Sequence, residues 1–181
     1  MHENVVVGLD LSVHSTGICI VTGDTCRFVR LTKPIDATKP GKRLSKWSES
    51  LHTGIAIAEA IERIVLPYRR MPVTAVIESV GFGFLNKRTS STTGLLFIGA
   101  IVGARLSAIG YDVQYVEPTK HKRCFTGNGR ADKALSVTRL LELFPNMLNA
   151  TDKLDDIADA ASLASVLTDM SKLTAVHCQV L

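Results

Sequence analysis

Hydrophobic residues run along this chain in two rhythms, short unbroken runs and stripes recurring about once per helical turn, and their alternation predicts the elements. Val5-Val6-Val7-Gly8-Leu9-Asp10 and Gly17 to Val21 are apolar runs flanking the polar stretch Leu11 to Thr16, which reads as a β-hairpin. Thr25 to Leu31, with Phe28, Val29 and Leu31, predicts a third strand that completes an antiparallel meander. Lys33 to Arg43, with Pro34, Pro40 and Gly41, has the composition of a loop. Lys42, Arg43 and Lys46 beside Trp47 open a helix carried by Leu51, Ile55, Ile57, Ala58, Ile61, Ile64 and Val65 as far as Pro67.

Val73-Thr74-Ala75-Val76-Ile77-Glu78 is a continuous apolar run ending in an acid, the pattern of a strand buried on both faces of an α/β sheet. Its last residue lies at the carboxyl edge, where open α/β sheets bind ligands. The following loop places Phe82 and Phe84 between glycines and then Lys87 and Arg88. Such rings suit stacking on bases or folding back into the core, and the sequence leaves both open. Gly94 to Ile109 predicts a helix with Gly99, Ala100, Gly103, Ala104 and Ala108 at spacings near one turn, a stripe for central packing or a dimer face. Tyr111 to Val116 predicts another strand, and Lys133 to Phe144 another helix, ended by Pro145. A last helix starts after Thr151 and carries Asp156 and Asp159 three apart, hence on one face, with Asp159 continuing into Leu163, Val166 and Met170 as the stripe toward the sheet.

Length and composition narrow the class. A chain of 181 residues, 46% hydrophobic and 21% charged, predicts one folded domain over residues 1–181 and excludes a disordered chain. The start, Met-His-Glu-Asn, lacks the regions of a signal peptide, and the most apolar segment, Gly94 to Ala104, is too short to span a bilayer. No membrane association is expected. Cys19, Cys26, Cys124 and Cys178 are scattered without CxxC spacing, which argues against a zinc site and a disulfide framework and for a reducing, cytoplasmic setting. The net charge of +4 is a basic bias compatible with a polyanionic partner. Much of it is concentrated in Lys120, Lys122 and Arg123 and, after the Gly127-Asn128-Gly129 turn, in Arg130 and Lys133. Such a run serves as a solvated surface or, beside a helix start, as a phosphate contact. Lys42, Arg43 and Lys46 have the same two readings.

The chemistry lies in the acids. A carboxylate inside an apolar run, as Asp10 is, needs hydrogen-bond donors or a metal ion. The polar turn could supply the donors, and its Ser, Thr and Gly residues could instead cradle a phosphate, as in the first phosphate loop of actin-like ATPases and sugar kinases. That reading calls for a second similar domain, and the chain has no matching glycine-rich motif. Asp10, Glu78, Asp156 and Asp159 brought together would raise one another's pKa, and hard divalent cations bound by oxygen relieve this. Two such ions can hydrolyse a phosphodiester. One of Asp152 and Asp155 could be no more than a helix cap.

The order of motifs, Gly8-Leu9-Asp10-Leu11-Ser12 on the first strand, Ile77-Glu78 ending a later one and Asp156-Ile157-Ala158-Asp159-Ala160 on the last helix, resembles the RuvC family of Holliday junction resolvases. The wording of the first motif resembles the phage and prophage branch. The resemblance spans Val5 to about Val166. It implies an α/β, ribonuclease H-like fold with a central mixed five-stranded sheet flanked by helices. It further implies a homodimeric endodeoxyribonuclease that nicks opposed strands of four-way DNA junctions, in recombination, repair or phage DNA processing. Mg²⁺ is the implied cofactor, with Mn²⁺ substituting and two ions per site. Asp10, Glu78, Asp156 and Asp159 match the family's acidic positions, Lys133 its active-site lysine, and Lys120 or Lys122 another basic position. Phe82 and Phe84 are both candidates for the aromatic residue at the junction centre. Lys87, Arg88, Arg123 and Arg130 join the expected DNA contacts. A broader debranching nuclease and a non-catalytic junction-binding module are the alternatives.

Overall fold

The computed structural model describes residues 4–32, 46–79, 90–151 and 153–181. Strand β1 (Val5–Asp10) pairs antiparallel with β2 (Ser15–Thr22), and β2 with β3 (Thr25–Thr32), so the predicted meander forms. β4 (Val73–Glu78) lies parallel to β1 on its other side, and β5 (Asp112–Val116) parallel to β4. A further strand, β6 (Thr174–Val180), pairs parallel with β3 and makes the sheet six-stranded among the described residues, in the order β5-β4-β1-β2-β3-β6. The expected count of five is therefore corrected. The added edge strand is drawn from the last residues, whose short apolar and polar alternation is weak evidence for a strand until β3 offers its free edge.

Helices cover both faces. α1 (Lys46–Val65) and α2 (Ser90–Ala108) lie on one, where Ile57, Ile61, Ile98, Val102 and Leu106 meet Val5, Val7, Leu9, Ile18 and Ile20 of the sheet. α3 (Pro118–Thr126), α4 (Lys133–Leu143) and α5 (Leu154–Ala164) lie on the other. There Phe28 stacks edge-on with Phe144, at 5.5 Å between ring centroids and 66° between planes. α3 is a helix where the sequence suggested only a charged connection. Pro118 sits in its first turn, suited to a helix start, and buried His121 and Phe125 are four apart on one face. The N-terminus of α4 falls where expected, with the Asp132 side chain accepting a hydrogen bond from the Leu135 amide at 2.9 Å.

Two glycines control how α5 sits on the sheet. A Cβ on Gly8 would stand 2.1 Å from the Ala160 carbonyl oxygen, and one on Gly17 would stand 2.0 Å from that of Asp156. Gly8 and Gly17 lie on neighbouring strands, so the backbone of α5 rests directly on the backbone of β1 and β2. The closest approach to the sheet therefore runs along Asp156, Ala160 and Ala164, beside the expected line, of which Leu163 and Met170 are buried in the core shared with the sheet and Val166 packs against it. α5 ends at Ala164, and Val166 and Met170 belong to the turns beyond it.

Candidate active site

Side chains alternate along a strand, which assigns the acids to one face. On β1, Val5, Val7 and Leu9 point to α1 and α2, so Val6, Gly8 and Asp10 point to α5. On β4, Val76 and hence Glu78 point the same way, and on β3 so do Phe28 and hence Arg30. Register then aligns them. Arg30 pairs with Gly17, Gly17 with Asp10, and Glu78 stands one step beyond the Leu9–Ile77 pair. A row Arg30, Gly17, Asp10, Glu78 thus crosses four strands at the edge where β1 and β4 end, beneath the first turns of α5.

Burial pushes the Asp10 carboxyl well above the usual carboxylate range, Asp159, Glu78 and Asp156 push it the same way, and Lys133 opposes them. The Asp10 carboxylate receives no hydrogen bond among the described residues. Asp159 is raised too, first by burial and further by Glu78, against Lys122, Lys133 and His121. The other two acids have direct partners. Arg30, buried in the sheet row, donates from Nε to Asp156 Oδ2 at 3.0 Å, and the Ser15 hydroxyl donates to the same oxygen. Glu78 Oε2 lies 2.8 Å from His121 Nε2, whose Nδ1 lies 2.8 Å from Ser162 Oγ.

Lys133, exposed at the rim, donates from Nζ to Asp155 Oδ2 at 2.7 Å. That bond raises the lysine and lowers Asp155. Asp155 is thus an ion-pair partner, and Asp152 lies outside the described residues. Lys122 donates from Nζ to the Ala131 carbonyl at 3.0 Å, which ties α3 to the turn before α4. Lys120, Arg123 and Arg130 are exposed on the same stretch. Phe82, Phe84, Lys87, Arg88, Lys42 and Arg43 lie outside the described residues, and so does the side chain of Lys46.

The donor set suits a hard divalent cation. A half-buried carboxylate without hydrogen-bond donors among the described residues, crowded by three other acids, is stabilised by positive charge bound through oxygen. Among the described residues no three His, Cys, Asp or Glu side chains converge closely enough to close on one ion, with Glu78 drawn to His121 and Asp156 to Arg30. Sequence reasoning missed Arg30, Ser15, His121 and Ser162. A signal existed for Arg30, a cation at an inward position of β3, on the parity of Cys26 and Phe28. For His121 the signal is its four-residue spacing from Phe125, hidden inside a run of cations.

A family model described as "Crossover junction endodeoxyribonuclease RuvC" matches residues 6–167. A crossover junction endodeoxyribonuclease RuvC of Neorickettsia sennetsu is 31% identical over 163 residues, which span 88% of this chain and 92% of that protein. A Thermus thermophilus RuvC structure superposes with a TM-score of 0.59 at 13% identity, over 90% of this chain and 91% of that one. T. thermophilus RuvC in complex with Holliday junction substrate gives 0.56 at 16% identity, with the same coverage. At such identities the structural likeness speaks for the fold, which is the ribonuclease H-like arrangement that the motifs implied.

Proposed function

The chain belongs to the RuvC family of crossover junction endodeoxyribonucleases, and from that premise we propose that the row of acids beneath α5 cuts four-way DNA junctions by paired, symmetric nicks. The observation that carries the reading is Asp10, a half-buried carboxylate pressed upon by Asp159, Glu78 and Asp156 at the open end of two parallel strands. Asp10, Glu78 and Asp159 would hold Mg²⁺, with Mn²⁺ substituting and two ions per site. Asp156, whose Oδ2 is taken by Arg30 and Ser15, would offer its other oxygen. Bound there, such ions lower the pKa of water and stabilise the leaving oxygen of a phosphodiester.

The chain's own residues do the rest. Arg30 and Ser15 hold Asp156 in one orientation, so that acid needs no reorganisation when substrate binds. Lys133 is kept at the rim by Asp155, and its charge already reaches Asp10 and Asp159. A scissile phosphate arriving there exchanges for Asp155, which places the ammonium against the charge that grows on the phosphate oxygens. Lys120, Lys122, Arg123 and Arg130, with Phe82, Phe84, Lys87 and Arg88, would contact the DNA arms and the junction centre. The proposed place of action is the cytoplasm, a reading supported by four free cysteines.

Symmetric nicking calls for two sites related by a two-fold axis, hence a homodimer. The exposed side of α2, with Leu96 37% and Phe97 41% accessible opposite buried Ile98, Val102 and Leu106, is the face proposed for it. Sedimentation at micromolar concentration is expected to give a dimer, and a monomer overturns this part. The main test is cleavage of a labelled four-way junction beside linear duplex, flap and RNA hairpin controls, with and without Mg²⁺. Paired nicks on the junction alone, lost in Asp10→Asn while binding persists, are expected. Equal cutting of flaps makes the protein a general debranching nuclease. Tight binding with no metal-dependent cutting makes it a binding module.

A further inference from the structure

His121 is completely buried, and both of its ring nitrogens have partners. The carboxylate of Glu78 is an acceptor only, so Nε2 carries the proton and donates to Oε2 at 2.8 Å. With the ring neutral, Nδ1 accepts from the Ser162 hydroxyl at 2.8 Å. Ser162 is itself buried and sits on α5, three residues after Asp159. Ser165 Oγ donates to the Ser162 carbonyl at 2.6 Å, in the last turn of the same helix. The imidazole on α3 therefore links the helix that carries Asp159 to the strand end that carries Glu78.

A side chain needed only to fill this volume would be leucine or methionine, since burying a polar ring costs free energy unless both nitrogens are paired. Glu78 shows the other half of the argument. Its side chain is 42% exposed at a strand end and would otherwise sample many rotamers. The bond from His121 selects one of them and leaves the second oxygen of Glu78 to the site.

We infer that His121 is a positioning residue: the chain Ser162, His121, Glu78 orients the Glu78 carboxylate and thereby sets how tightly the acidic site takes a divalent cation. This rests on the reading of Glu78 as a metal ligand. Outer hydrogen-bond partners of ligating groups typically change metal affinity or activity about 10–100-fold when removed. The role is distinct from contact with DNA, because a ring with no accessible surface touches no substrate.

The test uses the whole chain and Mn²⁺ alone as probe. The Mn²⁺ midpoint is read from the rise in melting temperature of metal-free protein, without DNA, for wild type, His121→Leu, His121→Gln, Ser162→Ala and Glu78→Gln. His121→Leu is expected to raise that midpoint about 10–100-fold. His121→Gln, which keeps an N–H donor for Glu78, is expected to recover most of the loss, and Ser162→Ala to produce a smaller rise. The Mg²⁺ requirement for junction cleavage should shift in parallel, with junction affinity in the absence of divalent ions unchanged.

A His121→Leu protein that melts earlier yet keeps the wild-type midpoint overturns the proposal and leaves the histidine a packing residue. If that variant does not fold, an unshifted midpoint in Ser162→Ala overturns it as well. A wild-type midpoint lost in Glu78→Gln and shifted in the His121 variants, in a protein that cuts no junction, supports the positioning role and refutes the proposed function.

Discussion

The two faces of the sheet are covered in different ways, and the difference separates stability from chemistry. Against α1 and α2 the sheet presents Val5, Val7, Leu9, Ile18 and Ile20, and the helices answer with Ile57, Ile61, Ile98, Val102 and Leu106. Branched side chains on both sides hold the layers apart and bury area, a contribution without direction of roughly 25 cal/mol per Å². Beneath α5 the corresponding positions are Gly8 and Gly17, met by the backbone at Ala160 and Asp156. That contact brings a helix so close that Asp156 and Asp159 join Asp10 and Glu78, which no layer of leucines would permit. Close packing and the site are one feature of this face, whereas on the other face packing is only packing.

Gly17→Ala attacks that feature directly. The added methyl would stand 2.0 Å from the Asp156 carbonyl oxygen, so α5 must move outward. Overpacking of this kind costs about 1–3 kcal/mol, and misplacing a catalytic group by about 1 Å costs about 10²-fold in rate. Cleavage per folded molecule is expected to fall by about that factor. A variant that folds and cuts like wild type breaks the comparison. Ile61→Ala probes the other face, where the side chain is fully buried against Val5 and its neighbours. It should lower the free energy of unfolding by about 2–5 kcal/mol in a urea titration, with the cleavage rate at low temperature unchanged.

The smallest effect concerns pH. The folded-state pKa of Asp10 is raised, so below the ordinary carboxylate range native and unfolded chains are both protonated there and the acid costs nothing. As pH rises through the raised value the native state must ionise a crowded, partly desolvated group, and stability is lost. Metal-free protein should therefore melt lower near neutrality than in mild acid. Asp10→Asn should remove part of this slope and raise the neutral melting temperature by about 2–4 °C, the shift about 1 kcal/mol gives a chain of this size. Mg²⁺ should stabilise the wild type and not the variant.

Much of this arrangement was legible. Asp10 and Glu78 could be put at strand ends because each terminates an apolar run, and Asp156 and Asp159 on one helical face because they are three apart. Lys133 could be placed at a helix start because an apolar stripe follows it as far as Phe144, before Pro145. The strands that escaped notice, or the helices, were those whose own pattern is weak. β6 exists because β3 offers an edge, and α3 hides two inward residues among its cations. The partners of the acids were illegible for another reason. Arg30 is 126 residues from Asp156 and His121 is 43 from Glu78, and no local rule couples positions so far apart.

By itself the amino-acid order determined the strands of the meander, the two later strands, the amphipathic helices and which acids end up at element ends, because periodicity and turn chemistry are local. Only the tertiary structure decided that α5 lies backbone to backbone on Gly8 and Gly17, that Asp156 answers to Arg30 and Ser15, and that Glu78 is held through His121 from Ser162. Those choices depend on register across four strands and on the absence of side chains at two positions, and both take effect only when the layers meet.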